Sequence, residues 1–153
     1  MCCVKSRFVI FMLSVGSLSF AQEANAAKCS SAPDIAAYHR CVSKCPSQDM
    51  NSYRECQDLD SFAPRMSAKM SNAEKQVRAA VIAWSGEKAS KDEALHSLDV
   101  ATNAFQAYRE NTCNLESSSM NGGNGSGGVY LECIARMADE RTKSLREQAK
   151  LFR

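Results

Sequence analysis

The sequence contains few of the residues that catalytic and metal sites require. It has two histidines in 153 residues and no Gly-x-Ser-x-Gly turn, so a Ser-His-Asp hydrolase has few possible arrangements. Cys-x-x-Cys and Cys-x-x-Cys-His are also absent, which leaves thiol exchange and covalent haem without support. No glycine is followed by the Lys-Ser/Thr of a phosphate-binding loop. We therefore predict that the protein is not an enzyme, has no catalytic residues and needs no cofactor.

Long apolar runs are scarce, and so are alternating runs of β-branched residues, which argues against strands. The one apolar run, Phe8–Phe20, is shorter than the roughly 20 residues that cross a membrane. Basic residues precede this run and Ala-Asn-Ala follows it at 24–26, the pattern of a secretory signal and its cleavage site. We predict a signal peptide over 1–26. The mature chain, 27–153, then has no integral membrane segment and is periplasmic or secreted.

Neither sign of charge dominates. The whole chain has 19 basic and 17 acidic residues, and removal of the signal leaves 17 and 16, a formal charge of +1. Such a balance produces no strong field that would attract nucleic acid or anionic lipid. We therefore expect a protein partner and no nucleic acid. The length supports one domain with a modest core, for which covalent cross-links matter.

What the mature chain does have is six cysteines, an even set that is typical of a disulfide framework in a short exported protein. Six cysteines allow fifteen pairings. Pairing between neighbours in the sequence gives Cys29–Cys41, Cys45–Cys56 and Cys113–Cys133, and the third has the strongest support. The alternative is a zinc site at His39, Cys41 and Cys45, but the second histidine, His96, lies far along the chain. An oxidising compartment favours disulfides, and we predict no metal site.

Apolar residues in the N-terminal half recur at three- and four-residue spacing, which predicts helices. Pro33-Asp34 is placed to open one short helix, and Ser47 or Asp49 is placed to cap a second. Because proline is poorly tolerated inside a helix, we expect a kink or a restart near Ser61–Arg65. A helix then continues to Ser85-Gly86, where glycine can adopt a positive φ. Its apolar face comprises Met66, Met70, Ala73, Val77, Ala80, Val81 and Trp84.

Two further helices surround a glycine-rich segment. A capping-box pattern at Ser90–Glu93 predicts the start of the first, which continues to Cys113. The second begins near Val129. Their apolar faces are Leu95, Leu98, Ala101, Ala104, Phe105 and Tyr108, and Leu131, Ile134, Met137, Ala138, Leu145 and Ala149. The segment between them, 114–128, is predicted to be a flexible loop.

The predicted fold is all-α: a small antiparallel helical bundle that is cross-linked by disulfides, with the Gly-rich loop between its last two helices. Two arginines lie near the last cysteine pair. Arg109 precedes Cys113 by one helical turn, and Arg141 follows Cys133 by about two turns. They are either exposed helix cations or groups that hold loop carbonyls or carboxylates and fix the helix ends. We assign Arg141 a structural role.

The last two helices also carry a family likeness. Residues 101–113, ATNAFQAYRENTC, resemble the pattern Ala-Gln-x-x-Trp-x-x-Tyr-Arg-Asp-x-x-Cys, and residues 133–145 resemble Cys-Leu-x-x-x-Thr-x-x-Arg-x-x-x-Leu. Both patterns are those of the LprI-type lysozyme inhibitor family of small exported bacterial proteins. The chain departs from them at Thr102, Phe105 and Ala138. The resemblance extends over about 94–146, and residues 27–45 are an N-terminal extension of the domain.

The resemblance implies a helical, disulfide-bonded protein that binds and inhibits a lysozyme. We expect inhibition by steric occlusion, in which the loop enters or covers the cleft of a peptidoglycan-cleaving enzyme. The candidate partner-binding residues are Arg109, Glu110, Asn121, Gly122, Gly123, Asn124, Gly125 and Ser126. An alternative function on the same scaffold is a periplasmic structural or interaction module, or an immunity-type partner of another exported toxin.

Overall fold

The computed structural model describes residues 28–121, 123 and 125–153, and the predicted signal peptide lies outside them. A short 3-10 helix precedes five α-helices in this part of the chain. Their bounds are Cys29–Ser31 for the 3-10 helix, then Ile35–Val42 (α1), Met50–Gln57 (α2), Leu59–Ala83 (α3), Lys88–Ser118 (α4) and Ser126–Lys150 (α5). The described residues contain no strand, and none of their helices is both long and apolar enough to cross a membrane. The all-α prediction is confirmed.

The helices α3 and α4 are antiparallel neighbours. Arg78 near the end of α3 pairs with Asp99 near the start of α4, whereas Arg109 further along α4 contacts Ser67 nearer the start of α3. The same inverse order relates α4 to α5, because the Cys113–Cys133 disulfide joins them near their shared loop. The three long helices therefore run up, down and up.

The core lies between α3 and α5, which run parallel. Trp84 and Phe152, which follow the ends of α3 and α5, meet edge to face with ring centroids 5.7 Å apart. Alanines on both helices allow close approach, while Met66 and Leu145 are completely buried. Each such large side chain contributes roughly 1.5–3 kcal/mol through removal from water. The predicted apolar faces of these two helices supply most of the core: Met66, Met70, Ala73, Val77, Val81, Ala138, Leu145 and Ala149.

The short N-terminal helices pack on the start of α3. The ring of Tyr38 on α1 stacks on Phe62 of α3, with the centroids 4.1 Å apart. Asp34 caps α1 by accepting a 2.7 Å hydrogen bond from the backbone N–H of Ala37, and that bond lowers the pKa of the carboxyl. Asp49 caps α2 in the same way, so the predicted openings of both helices are confirmed.

The break between α2 and α3 lies at Asp58, not near Pro64. Asp58 has φ 47°, a left-handed conformation that ends α2, and α3 then begins at Leu59 and continues through Pro64. The Asp58 carboxylate fixes this turn by accepting hydrogen bonds from the hydroxyls of Ser30 at 2.7 Å and Ser61 at 2.8 Å. Of the predicted kink or restart near 61–65, the restart is therefore wrong, because α3 is already helical from Leu59 onward.

The connection from α3 to α4 also differs from the prediction. The helix α4 begins at Lys88 and no side chain caps it, so Ser90 lies within its first turn and the predicted capping box is wrong. Gly86 does not have a positive φ. Its role is steric, because a Cβ at this position would lie 2.4 Å from the ring of Trp84.

Candidate functional site

Three disulfides connect the six cysteines, and all three predicted pairings are confirmed. Their Cα–Cα distances are 5.6 Å for Cys29–Cys41, 5.8 Å for Cys45–Cys56 and 5.5 Å for Cys113–Cys133. These values lie in the range that a disulfide requires. Such a framework fits an oxidising compartment.

The two N-terminal disulfides pack against each other. The sulfur of Cys29 lies 3.7 Å from that of Cys45 and 4.0 Å from that of Cys56. His39 lies outside this cluster and forms an exposed hydrogen bond with Glu132 of α5, with Nε2 and Oε1 2.9 Å apart. The residues that we considered for zinc thus have other partners in the structure.

The Cys113–Cys133 disulfide connects α4 and α5 inside the helices, not at their ends. The helix α4 continues five residues beyond Cys113, and α5 begins seven residues before Cys133. Both cysteines are buried, and their sulfurs lie 3.7 Å and 3.9 Å from the sulfur of Met137. The loop therefore stands at the end of a cross-linked helix pair.

The loop is shorter than predicted. It comprises seven residues, 119–125, instead of 114–128, because α4 extends to Ser118 and α5 starts at Ser126. The hydroxyls of Ser117, Ser118 and Ser119 donate to backbone carbonyls three or four residues earlier, which satisfies acceptors at the end of α4. Asn121 then turns the chain with φ 49°. The predicted start of the last helix at 129 is wrong by three residues.

The predicted loop residues lie together at the tip. Asn121, Gly123 and Gly125 are exposed, and Ser126 is half-buried at the first position of α5. Gly122 and Asn124 lie outside the described residues. Backbone hydrogen bonds of 3.0 Å from Gly123 to the Met120 carbonyl and from Ser126 to the Gly123 carbonyl hold the turn. Three of the seven loop residues are glycines, which keeps the tip small.

Arg109 and Glu110 project in different directions. The Arg109 guanidinium lies toward α3, where Nη1 is 3.4 Å from the Ser67 hydroxyl and 3.9 Å from the Met70 sulfur. Glu110 is exposed on the outside of α4, about 12 Å along the helix from Ser118. Of the two, only Glu110 is exposed, and Arg109 holds α4 against α3.

Arg141 contacts α4 instead of the loop. Its guanidinium carbon lies 5.5 Å from the centroid of the Phe105 ring, a cation–π contact. Its Nε and Nη2 are buried and make no hydrogen bond within the described residues. The contact joins α4 to α5 one helical turn before Arg109. The structural role that we assigned to Arg141 stays a prediction, and Phe105 is the residue of α4 through which it would act.

One element of the site was not predicted. Glu116 and Arg136 form an ion pair of 2.7 Å that joins α4 to α5 beside the disulfide, and Nη2 of Arg136 lies 3.7 Å from the Cys133 sulfur. Each residue follows its cysteine by three positions, Cys113 in one helix and Cys133 in the other. That shared offset was the available signal, because residues three apart lie on the same face of a helix.

A groove next to the loop was also missed. It lies between α2, the start of α3 and the start of α5, and its apolar lining includes Met50, Tyr53, Leu59 and Val129. Met50 is exposed. No local pattern in the sequence predicts it, because the groove depends on how α2 folds back toward the loop.

Comparison with known proteins agrees with this architecture. A family model described as lysozyme inhibitor LprI matches residues 41–145, which is more than two thirds of the chain. No curated protein and no solved structure matches the chain. The matched region contains the last two disulfides and the whole of the loop, whereas Cys29 precedes it. The chain belongs to the lysozyme inhibitor LprI family.

Proposed function

We propose that the protein is an exported inhibitor, periplasmic or secreted, that binds a lysozyme-type peptidoglycan-cleaving enzyme and blocks its active-site cleft. The observation that carries the proposal is the family match over residues 41–145. Three disulfides support export, because such bonds persist in oxidising compartments. The function is binding and not catalysis.

The loop tip is the proposed inhibitory element. Glycine lets its backbone approach another surface closely, and the side-chain amide of the exposed Asn121 has two N–H donors. A glycosidase cleft holds a pair of carboxyl groups beside the scissile bond, and donors at the tip are complementary to them. The tip therefore combines a narrow shape with the hydrogen-bonding capacity that such a cleft requires.

The cross-linked helices α4 and α5 lower the entropic cost of binding through the tip. The Cys113–Cys133 disulfide and the Glu116–Arg136 ion pair both fix α4 against α5 close to the loop. Because the loop ends are already held in place, binding orders only the few residues between them. The disulfide thus acts as a positioning element for the inhibitory tip.

The test uses the mature chain, 27–153, with its disulfides formed. We expect it to inhibit cell-wall hydrolysis by a lysozyme at close to one equivalent. Unchanged turnover at micromolar excess of the protein contradicts the proposal.

A variant pair at Gly127 then tests the tip. Gly127 is exposed at the second position of α5, beside the tip, and a Cβ there meets no atom within 4 Å, so alanine fits without displacing a neighbour. Circular dichroism and melting temperature check that the larger indole leaves the fold unchanged. We expect Gly127→Trp to weaken inhibition because the indole obstructs entry into the cleft, while the matched variant Gly127→Ala inhibits like the wild type. Equal inhibition by the two variants contradicts tip insertion.

A further inference from the structure

The outer face of α4 is an exposed, uncharged stripe that nothing in the described chain covers. In this 31-residue helix only Leu98 and Cys113 are buried. At 3.6 residues per turn, six exposed residues fall on the side opposite these two. This α4 stripe comprises Val100, Ala104, Ala107, Tyr108, Asn111 and Leu115.

The stripe is more apolar than an ordinary helix surface. Val100 is 54% exposed, Tyr108 62% and Leu115 73%, and the residues between them on the same face are two alanines and an asparagine. Single exposed apolar residues are common, but a contiguous apolar surface marks an interaction site. The stripe covers about 22 Å of helix, and it ends one turn before the loop.

The charges beside the stripe are acidic. From Asp92 to Ser118, α4 has one lysine or arginine, Arg109, and its guanidinium contacts α3. Of the acidic residues, Asp99 and Glu116 are paired with arginines of α3 and α5. The exposed carboxylates of Asp92, Glu93 and Glu110 remain, and no ion pair joins them to another described residue. The outward side of α4 thus combines an apolar centre with unneutralised negative charge.

We propose that the α4 stripe and its flanking carboxylates form the docking surface for a basic partner protein, with Tyr108 and Leu115 as the apolar anchors and Glu93 and Glu110 as the charged rim. The inference rests on the proposed function and makes it more specific: the partner is a lysozyme of strongly basic surface. The stripe ends one turn before the loop, so one partner contacts both. The chain is nearly neutral overall, and the local acidic surface supplies the attraction that its net charge does not.

A second copy of the chain is a poorer occupant for this surface. Each copy brings the same carboxylates and no exposed lysine or arginine from residues 92–118 of α4. Pairing of two stripes therefore brings no exposed lysine or arginine of residues 92–118 to Glu93 and Glu110, and like charges at an interface are unfavourable. A basic surface pairs with both residues.

The experiment measures the inhibition constant for a basic lysozyme with the mature protein and its variants. We expect Tyr108→Ser and Leu115→Ser each to raise the constant by at least about fivefold, as for interface anchors. The double variant with Glu93→Lys and Glu110→Lys should lower the association rate by about tenfold at low salt and less at high salt. Acetylation of the lysozyme lysines should reproduce that loss.

Matched controls carry the same changes elsewhere. Ile82→Ser and Leu151→Ser remove exposed apolar side chains from α3 and from the C-terminus, and Glu140→Lys reverses an exposed charge on α5. We expect all three to inhibit like the wild type, with circular dichroism and melting temperature unchanged in every variant. A wild type that fails to inhibit overturns the proposed function. If the wild type inhibits and the stripe variants inhibit equally well, this inference alone is overturned. It is also overturned if light scattering shows a dimer of the protein that Leu115→Ser dissociates.

Discussion

The guanidinium of Arg141 lies over the ring of Phe105, 5.5 Å from its centroid, and joins the middle of α5 to the middle of α4. Two of its nitrogens are buried without a hydrogen bond among the described residues. A buried donor without a partner costs stability, and that cost offsets the gain from the ring contact. The net contribution of Arg141 to folding is therefore small, while Phe105 contributes through packing.

We expect Arg141→Met to change the free energy of unfolding by less than about 1 kcal/mol, because methionine keeps the ring contact and removes the unpaired donors. Phe105→Ala should cost about 2 kcal/mol, since the ring is half-buried between the helices. Urea unfolding of both variants provides the comparison. A larger loss for Arg141→Met than for Phe105→Ala would show that the guanidinium has a structural partner of its own.

Removal of the Cys113–Cys133 disulfide should cost about 3 kcal/mol, the value expected for a closed loop of 20 residues. The double substitution Cys113→Ser with Cys133→Ser should also weaken lysozyme inhibition more than tenfold, because the loop ends are no longer fixed. The matched control is Cys29→Ser with Cys41→Ser, which opens a disulfide of separation 12 that begins outside the family match. We expect it to lose similar stability and to keep inhibition at a temperature where it is folded.

Asp58 makes the stability of the N-terminal region depend on pH. The hydrogen bond from Ser30 lowers the pKa of the Asp58 carboxyl, with further help from Ser61 and Lys28. The carboxylate therefore stabilises the fold above its unfolded pKa of about 4, and this contribution is lost as pH falls through the lower folded pKa. We expect Asp58→Asn to lose about 1 kcal/mol at pH 7 and to show a weaker decline between about pH 5 and 2.

The measurement for Asp58 is the free energy of unfolding in urea at several pH values. Glu55→Gln, an exposed change on α2, is the control and should follow the wild-type curve. Parallel curves for Asp58→Asn and the wild type, offset by a constant, would mean that Asp58 stabilises the turn without a lowered pKa.

Two glycines should respond in opposite ways to the same substitution. Gly86→Ala places a Cβ 2.4 Å from the Trp84 ring, and displacement of that ring should cost roughly 1–3 kcal/mol. Gly127→Ala meets no neighbour and lies in the first turn of α5, so it should be neutral or stabilising by up to about 1 kcal/mol. Thermal unfolding of the two variants tests the pair, and equal melting temperatures would contradict the assigned contact at Trp84.

Sequence patterns predicted the elements whose signal is local. The faces of α3 and α5 are long, periodic and free of glycine in their middle parts, so their inward orientation followed from spacing alone. The caps at Asp34 and Asp49 also followed, because a side-chain acceptor at a helix start acts on its own backbone. The pairing of cysteines between neighbours in the sequence was correct for the same reason.

Features set by tertiary contacts were not predictable. The expected apolar face of α4 included Ala101, Ala104 and Tyr108, all of which are exposed. The rotation of α4 is fixed instead by the disulfide at Cys113 and by the contact of Arg109 with α3. Alanine fits either side of a helix, so spacing could not distinguish the two orientations. Two residues of the α4 stripe, Ala104 and Tyr108, belong to the predicted face that the fold leaves outside.

The short tip sets a limit on how far the protein can reach into another molecule. Both ends of residues 119–125 return to helices, so about half of the seven residues extend outward, and at no more than about 3.3 Å per residue the tip advances by roughly 10 Å at most. Behind it stand two packed helices, each about 10 Å across, which are too broad for a narrow crevice. An enzyme whose catalytic groups lie deeper than this is out of range, so the dimensions of the tip select targets with shallow, open clefts.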